Sequence, residues 1–257
     1  MKSLRKYLQI LFIAALSLIL AYLPACKIAS YNSGKAVSLM VSDSLDADSG
    51  MVALIEPYRL HIDSTMNIVI GVSSKALEKG TPESLLGDFC SDLILDEVLT
   101  RFKDSLAGLN VMVLLNNGGL RTSLPAGNIT ISDVYRLMPF DNELVLLELN
   151  GTEVKALFDQ IARMGGMPVA GIELVLNATN WVKASIGGEM FDENKRYILA
   201  TSDYLANGGD GLDFLNRNLR YVKTGLFIRD IFIDGIEKIT ATGKTINPTI
   251  DGRIYYE

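Results

Sequence analysis

The chain has 257 residues, 49% of them hydrophobic, a single His and a formal net charge of −6. That length and apolar content supply one large core or two small ones, and the acidic balance excludes a nucleic-acid polymer as partner, because such binding rests on neutralising phosphates. One His cannot build an imidazole-rich dinuclear metal centre, Ser-His-Asp chemistry would rest on His61 alone, and no Gly-x-Ser-x-Gly or Gly-x-x-x-x-Gly-Lys-Ser/Thr motif is present.

Lys2, Arg5 and Lys6 precede an apolar run from Leu8 to Leu23 that ends Leu23-Pro24-Ala25-Cys26. A basic start, an apolar stretch and a small residue before a Cys read as a lipoprotein export signal over residues 1–25, with Cys26 as the lipid acceptor. The same run with its flanks approaches the length of a short membrane span, so an uncleaved anchor is the alternative. Either reading tethers the remaining chain outside the cytoplasm, in the periplasm or at the cell surface. Removing residues 1–25, which carry three cations and no anion, leaves 232 residues and moves the charge from −6 to −9. Ser30, Ser33, Ser38, Ser42 and Ser44, with little apolar periodicity, mark residues 26–45 as a tether in which Val37–Val41 can form an edge strand. Residues 46–257 are then the folded domain.

From Asp48 the spacing of Met51, Leu54, Ile55, Tyr58 and Ile62 predicts a helix kinked at Pro57, with His61 as an ordinary residue on it, and Ile68–Val72 a strand. Pro82 and Glu83 open a strong helical pattern of Leu86, Phe89, Cys90, Leu93, Ile94 and Glu97 running to about Lys103. Cys90 falls on its apolar side as a buried thiol, without a disulfide partner once Cys26 carries lipid. Val111–Leu115 is a continuous apolar run, the pattern of a strand covered on both faces. It leads into the loop Asn116-Asn117-Gly118-Gly119-Leu120-Arg121.

Thr130 or Ser132 then caps a short helix ending near Pro139, and Glu143–Leu149 is a strand. Asn150-Gly151 reads as a turn before a helix whose apolar face is Val154, Leu157, Phe158 and Ile161. Ile172–Leu176, Met190–Phe191 and Arg196–Ser202 read as strands, Trp181 as a packing residue, and the tail from Tyr221 to Tyr256 as one helix and two strands. Strands mixed irregularly with helices predict an α+β or layered α/β domain with mixed sheets and flanking helices.

Two glycine loops carry the chemistry. Gly118 and Gly119 allow close backbone approach, their successive N–H groups form an anion-receptive concavity, Arg121 adds a planar guanidinium, and the Asn116 amide can donate and accept. The second loop, Ala206-Asn207-Gly208-Gly209-Asp210-Gly211, follows Tyr204 closely. Taken singly, each loop is equally well a tight turn, Asp210 a helix cap, and Phe140 or Tyr204 a packing residue.

In order and spacing, however, Asn-x-Gly-Gly-Leu-Arg after a strand, Pro139-Phe140 with Asn142 behind it, Asn150-Gly151 before a helix, and Tyr204 through Gly211 resemble the landmarks of the 5′-nucleotidase C-terminal domain. Glu83 to Asp88, with Asp92 beyond, is similar to that family's first long helix, and the likeness runs from about Asp46 to Asp213 with a weaker match in the tail. The resemblance implies a single domain of that type. It implies that Phe140 and Tyr204 sandwich a nucleobase, Asp210 accepts from ribose hydroxyls, Arg121 reaches the ribose or its phosphate, and Asn116 contacts the base, with Gly119, Asn207, Gly208 and Gly209 shaping the site. Stacking of an aromatic ring on a base contributes about 1–3 kcal/mol and tolerates different bases. Tyr204 stands where many relatives carry Phe, and Lys79-Gly80-Thr81-Pro82 precedes Glu83 where many carry an Arg, whose forked contact an ammonium cannot reproduce.

The relatives' hydrolysis uses two divalent metals held by His and Asp side chains. The resemblance therefore implies no cofactor and no catalytic residue in this chain, with the metals on a separately encoded metallophosphatase partner and a nucleotide or nucleoside held between the two. The expected function is the recognition half of a split, exported 5′-nucleotidase acting in nucleotide catabolism. The alternatives are a non-catalytic nucleoside- or nucleotide-binding lipoprotein and a structural or interaction domain with a degenerate pocket.

Overall fold

A computed structural model describes residues 5–7, 11–15, 46–106 and 108–257. Residues 1–49 form one unit, whose described residues at 5–7 and 11–15 are helical and exposed, and residues 50–257 form the other. The lipid-acceptor Cys26, the tether 26–45 and the edge strand Val37–Val41 lie outside the described residues. Among the described residues no helix is long and apolar enough to cross a membrane.

The element order is α1 (Ser49–Met66), β1 (Val69–Ser73), α2 (Leu85–Arg101), β2 (Val111–Leu114), β3 (Gly127–Thr130), α3 (Ile131–Leu137), β4 (Glu143–Asn150), α4 (Gly151–Arg163), β5 (Val169–Ala170), β6 (Ile172–Asn177), β7 (Asn180–Ile186), β8 (Glu189–Met190), β9 (Arg196–Ser202), α5 (Asp203–Ala206), β10 (Arg220–Phe227), α6 (Ile228–Ala241) and β11 (Ile254–Tyr256). β1 and β3 form a two-stranded antiparallel sheet, a central five-stranded sheet runs β10-β4-β9-β2-β5, and a third runs β11-β6-β7-β8. In the central sheet β2 and β9 are parallel while β10–β4, β4–β9 and β2–β5 are antiparallel. This is the expected mixed-sheet α+β arrangement.

Both faces of the central sheet are buried. Alternate residues Val111, Val113, Leu144, Leu146, Ile198 and Ala200 enter one core with the apolar sides of α2, α3 and α6. Their neighbours Met112, Leu114, Val145, Leu147, Tyr197 and Leu199 enter a second core with α4 and the inner face of the β6–β7 hairpin. A strand covered on both sides has no reason to alternate, which is why Val111–Leu114 reads as uninterrupted apolar sequence.

Several boundaries differ from the pattern-based reading. α2 starts at Leu85 rather than at Pro82, because Ser84 is extended (φ −155, ψ 147) and its side chain accepts from the Gly87 N–H, satisfying a donor that a helix start leaves open. It stops at Arg101, short of Lys103. α3 begins behind Thr130, whose hydroxyl accepts from the Asp133 N–H while Asp133 reaches back to the Thr130 N–H; that reciprocal box selects Thr130 over Ser132 as the cap. Asn150-Gly151 is not a separate turn. β4 runs directly into α4 there, and a Cβ on Gly151 would lie 2.3 Å from the Glu193 carbonyl oxygen. α1 runs through Pro57, and Met51, Leu54, Ile55, Tyr58 and Ile62 along it stay exposed. His61 lies on α1, and its side chain is outside the described set.

Three strands escaped the sequence, among them the two-residue β5, which pairs antiparallel with β2. β7 carries Asn180, Lys183 and Ser185 among its apolar residues, and pairs with β6 across a two-residue turn in which Ala178 adopts a left-handed φ of 52°. β3 is short and polar, and is a strand because β1 offers it a partner. Trp181 packs edge-on against Phe158 and Phe191, and its Nε1–H donates to Asp159. The tail folds as expected into one helix and two strands, α6 between β10 and β11, and Cys90 is buried, its thiol pKa pushed up by desolvation.

Leu199 lies in the middle of the central sheet with no exposed surface. Leu199→Ala is expected to lower unfolding stability by about 2–5 kcal/mol in urea titrations, whereas Val182→Ala, on the exposed part of β7, should change it by less than about 0.5 kcal/mol.

Candidate functional site

The parallel pairing of β2 with β9 aligns Val111 with Ile198, Met112 with Leu199 and Val113 with Ala200, so both strands release their chains at the same edge of the sheet. β2 delivers Asn116-Asn117-Gly118-Gly119 there, and β9 delivers α5 and then Gly208-Gly209-Asp210. β4 is antiparallel to β9, with Leu144 opposite Ser202, so its start and the preceding Phe140-Asp141-Asn142 reach the same edge. Three segments far apart in sequence thus converge on a cleft of about 380 Å³, within the about 300–1,000 Å³ usual for small-molecule sites. Asn116, Arg121, Phe140, Tyr204 and Asp210 line it, completed by Gly118, Gly119 and Asn142.

Asp210 is the hub. Its Oδ2 accepts from the Asn116 amide at 2.7 Å and its Oδ1 from the Tyr204 hydroxyl at 2.9 Å. Its backbone sits in the left-handed region (φ 54, ψ 28), which costs a non-glycine residue energy, and Gln160 of α4 donates to its carbonyl oxygen at 3.1 Å. Asn116 is buried, and a Cβ on Gly119 would stand 2.5 Å from its side-chain oxygen, so any larger residue there must displace the Asn116 amide. Gly209 plays the corresponding part under Tyr204, since a Cβ there would lie 2.5 Å from the ring. Gly208 turns the chain at φ 94.

Phe140 and Tyr204 are each about half exposed and free to meet a ligand face. The Arg121 guanidinium lies 5.9 Å from the Phe140 ring centre and donates to the Gly118 carbonyl, while its backbone N–H is anchored on the Leu137 carbonyl. The segment carrying Phe140 is held by Arg229 of α6, a buried guanidinium that donates to the Met138 carbonyl and, at 2.6 Å, to the Asp141 carboxylate, and lies over the Tyr135 ring.

The structure therefore brings together Asn116, Gly119, Arg121, Phe140, Tyr204 and Asp210. Asn207, Gly208 and Gly209 do not line the cleft; Asn207 turns its amide back onto the Asp203 carbonyl, and Gly209 lies against the Tyr204 ring. Lys79 is also absent from the lining. Asn142, Gln160 and Arg229 were not singled out as site residues. Asn142 stood in the Pro139-Phe140 motif and could have been taken from it, whereas Gln160 and Arg229 act across helices whose packing no local pattern reveals.

Chemically, the cleft offers two aromatic faces, a carboxylate held by two donors, an amide and one guanidinium. It suits a flat ring joined to a hydroxylated group and an anion. Its lining holds no thiol and no imidazole, and the hydroxyl of Tyr204 donates to the Asp210 carboxylate.

The model of the 5′-nucleotidase C-terminal domain matches residues 66–217. The chain belongs to that family. Protein UshA of Yersinia enterocolitica is 27% identical over 210 residues, a match covering 80% of this chain and 37% of that protein. The trifunctional nucleotide phosphoesterase YfkN of Bacillus subtilis is 26% identical over 221 residues, covering 78% of this chain and 14% of that one. Among solved structures, the 5′-nucleotidase precursor from Thermus thermophilus superposes with a TM-score of 0.67 at 26% identity, over 80% of this chain and 42% of the other. The chain thus spans less than half the length of each of these relatives.

The hydrogen bond to the Asp210 carboxylate stabilises the protonated Tyr204 phenol and raises its pKa above the ordinary tyrosine value. Asp210→Asn should bring that titration down toward the ordinary value. Phenolate absorbance, read as the difference between each protein and its Tyr204→Phe counterpart, measures it.

Proposed function

We propose that residues 46–257 are the substrate-recognition half of a split, exported 5′-nucleotidase that takes part in nucleotide catabolism. The observation that carries this reading is the single cleft joining Phe140 and Tyr204 to Asn116, Arg121 and Asp210. In it the two rings stack on the base from opposite sides, Asp210 accepts from the ribose hydroxyls, and Arg121 meets the ribose or its phosphate. Gly119 and Gly209 shape the walls by letting Asn116 and Tyr204 lie close to the backbone, and Asn207 and Gly208 set the turn that presents Asp210.

The phosphoryl group is hydrolysed elsewhere. These residues contain one His, so the metals that clamp the phosphate and activate water come from a separately encoded metallophosphatase, with the nucleotide between the two surfaces. The basic, apolar leader ending at Cys26 directs export, and a lipid on Cys26 holds the protein to a membrane. Family membership, and the presence of a nucleotide phosphoesterase and a 5′-nucleotidase precursor among the relatives, support the substrate class.

The full chain in detergent should bind AMP or adenosine in calorimetry. Phe140→Ala should weaken binding by about 1–3 kcal/mol, roughly 5- to 150-fold in Kd, and Tyr204→Ala and Asp210→Ala should weaken it in the same direction. With AMP and Mn²⁺, phosphate release is expected only after the metallophosphatase encoded beside it is added. Release by the chain alone, or adenosine affinity indifferent to Asp210→Ala, overturns the proposal.

A further inference from the structure

Away from the cleft, the C-terminal segment before β11 is locked to the start of α2 by charge. Arg253 is largely buried, and its guanidinium donates from Nε and Nη2 to Asp251, from Nη1 and Nη2 to Asp92, and from Nη1 to the Val169 carbonyl. That uses all five of the donors a guanidinium possesses. Glu83 accepts the Asp251 and Gly252 backbone N–H groups on one oxygen, Oε1. Three carboxylates, on Asp88, Asp92 and Asp251, therefore share one cation, with Glu83 beside them.

Asp88 is the group left over. It is 2% exposed, Arg253 Nε stands 3.5 Å from its Oδ1 with its hydrogen already given to Asp251, and its buried Oδ2 has no hydrogen-bond partner. A buried carboxylate oxygen without a partner is costly unless a proton or a cation meets it. Glu83, Asp88 and Asp251 each bring one carboxylate oxygen within 4.8 Å of the others. On the Asp251 side opens a cavity of about 400 Å³ lined also by Asp92, Glu173 and Arg253, an acidic approach for an ion.

We propose that Glu83, Asp88 and Asp251 bind a calcium-type divalent cation that fastens the C-terminal strand to α2. Carboxylate oxygens are the ligands hard divalent cations choose, and calcium tolerates an irregular set completed by water, which the half-exposed Asp251 leaves room for. The ion is structural, shares no residue with the cleft, and is independent of the nucleotide reading. Without it, desolvation raises the Asp88 pKa against the pull of Arg253, with the Glu83 side chain close enough to share a hydrogen bond and the Glu83 and Asp251 charges adding to the rise.

The test uses the full chain in detergent, stripped with chelator and titrated with Ca²⁺ alone. Expected are saturable one-to-one binding in calorimetry, a Tm that climbs with free Ca²⁺, and slower amide exchange in residues 251–257. Asp88→Asn and the more exposed Asp251→Asn should each abolish the calcium response while the fold, followed by far-UV circular dichroism, is kept. Absence of binding or of a Tm shift at about 10 mM Ca²⁺, above the about 10⁻⁴–10⁻³ M of weak sites, overturns the proposal, as does a calcium response that survives either substitution.

Discussion

The parallel contact between β2 and β9 is the constraint on which the rest of the molecule depends. Neither strand is a hairpin neighbour of the other; more than eighty residues separate them, and bringing them together carries a large loop-closure cost. Burial on both faces offsets it. Each residue of β2, and Tyr197 through Ala200 of β9, adds apolar contact to one of two cores. Because parallel strands point the same way, both glycine loops emerge together, and antiparallel β4 brings its own entry loop alongside. The site is a consequence of strand direction before it is a consequence of any side chain.

Within the site, rigidity comes from close approach and shared hydrogen bonds rather than from bulk. Asp210 occupies a backbone region that L-residues avoid, and it stays there because Asn116, Tyr204 and Gln160 each take hold of it from a different element. Two glycines permit this, Gly119 by letting the Asn116 amide fold over its own turn and Gly209 by letting the Tyr204 ring lie against the chain. The hydroxyl that distinguishes Tyr204 from the Phe of many relatives adds a donor to the acidic hub. An incoming hydroxylated ligand meets a carboxylate already oriented, so less ordering remains to oppose binding.

The first long helix carries a different electrostatic load. In place of the Arg that many relatives carry before this helix, the chain has Lys79, which stays out of the cleft. The guanidinium that contacts the helix comes from Arg253 near the C-terminus, paired with Asp88, Asp92 and Asp251. Arg253 thereby closes the third sheet against α2, tying β11 and its partner β6 to the helix that covers the central sheet. The donors of that guanidinium are fully used by Asp92, Asp251 and the Val169 carbonyl, which leaves the buried Asp88 close to the charge without a hydrogen from it.

Much was legible in the sequence because it is local. The apolar run of β2, the three- and four-residue spacing along α2 and α4, the Asn-Gly-Gly turn and the Tyr204-to-Gly211 loop each follow from short-range sterics and burial, and with them the family and the aromatic, amide and acidic residues of the cleft. What stayed hidden depends on partners distant in the chain. β3 and the polar β7 are strands only because β1 and β6 pair with them, Gln160 and Arg229 reach their targets across helix packing, and Asn207, inside a readable motif, turns away from the cleft. The sequence by itself determined which stretches bend, which bury and which chemistry the loops carry, since those preferences act over a few residues. Only the tertiary structure decided which loops meet, because strand pairing and core packing join residues with no local signal of one another.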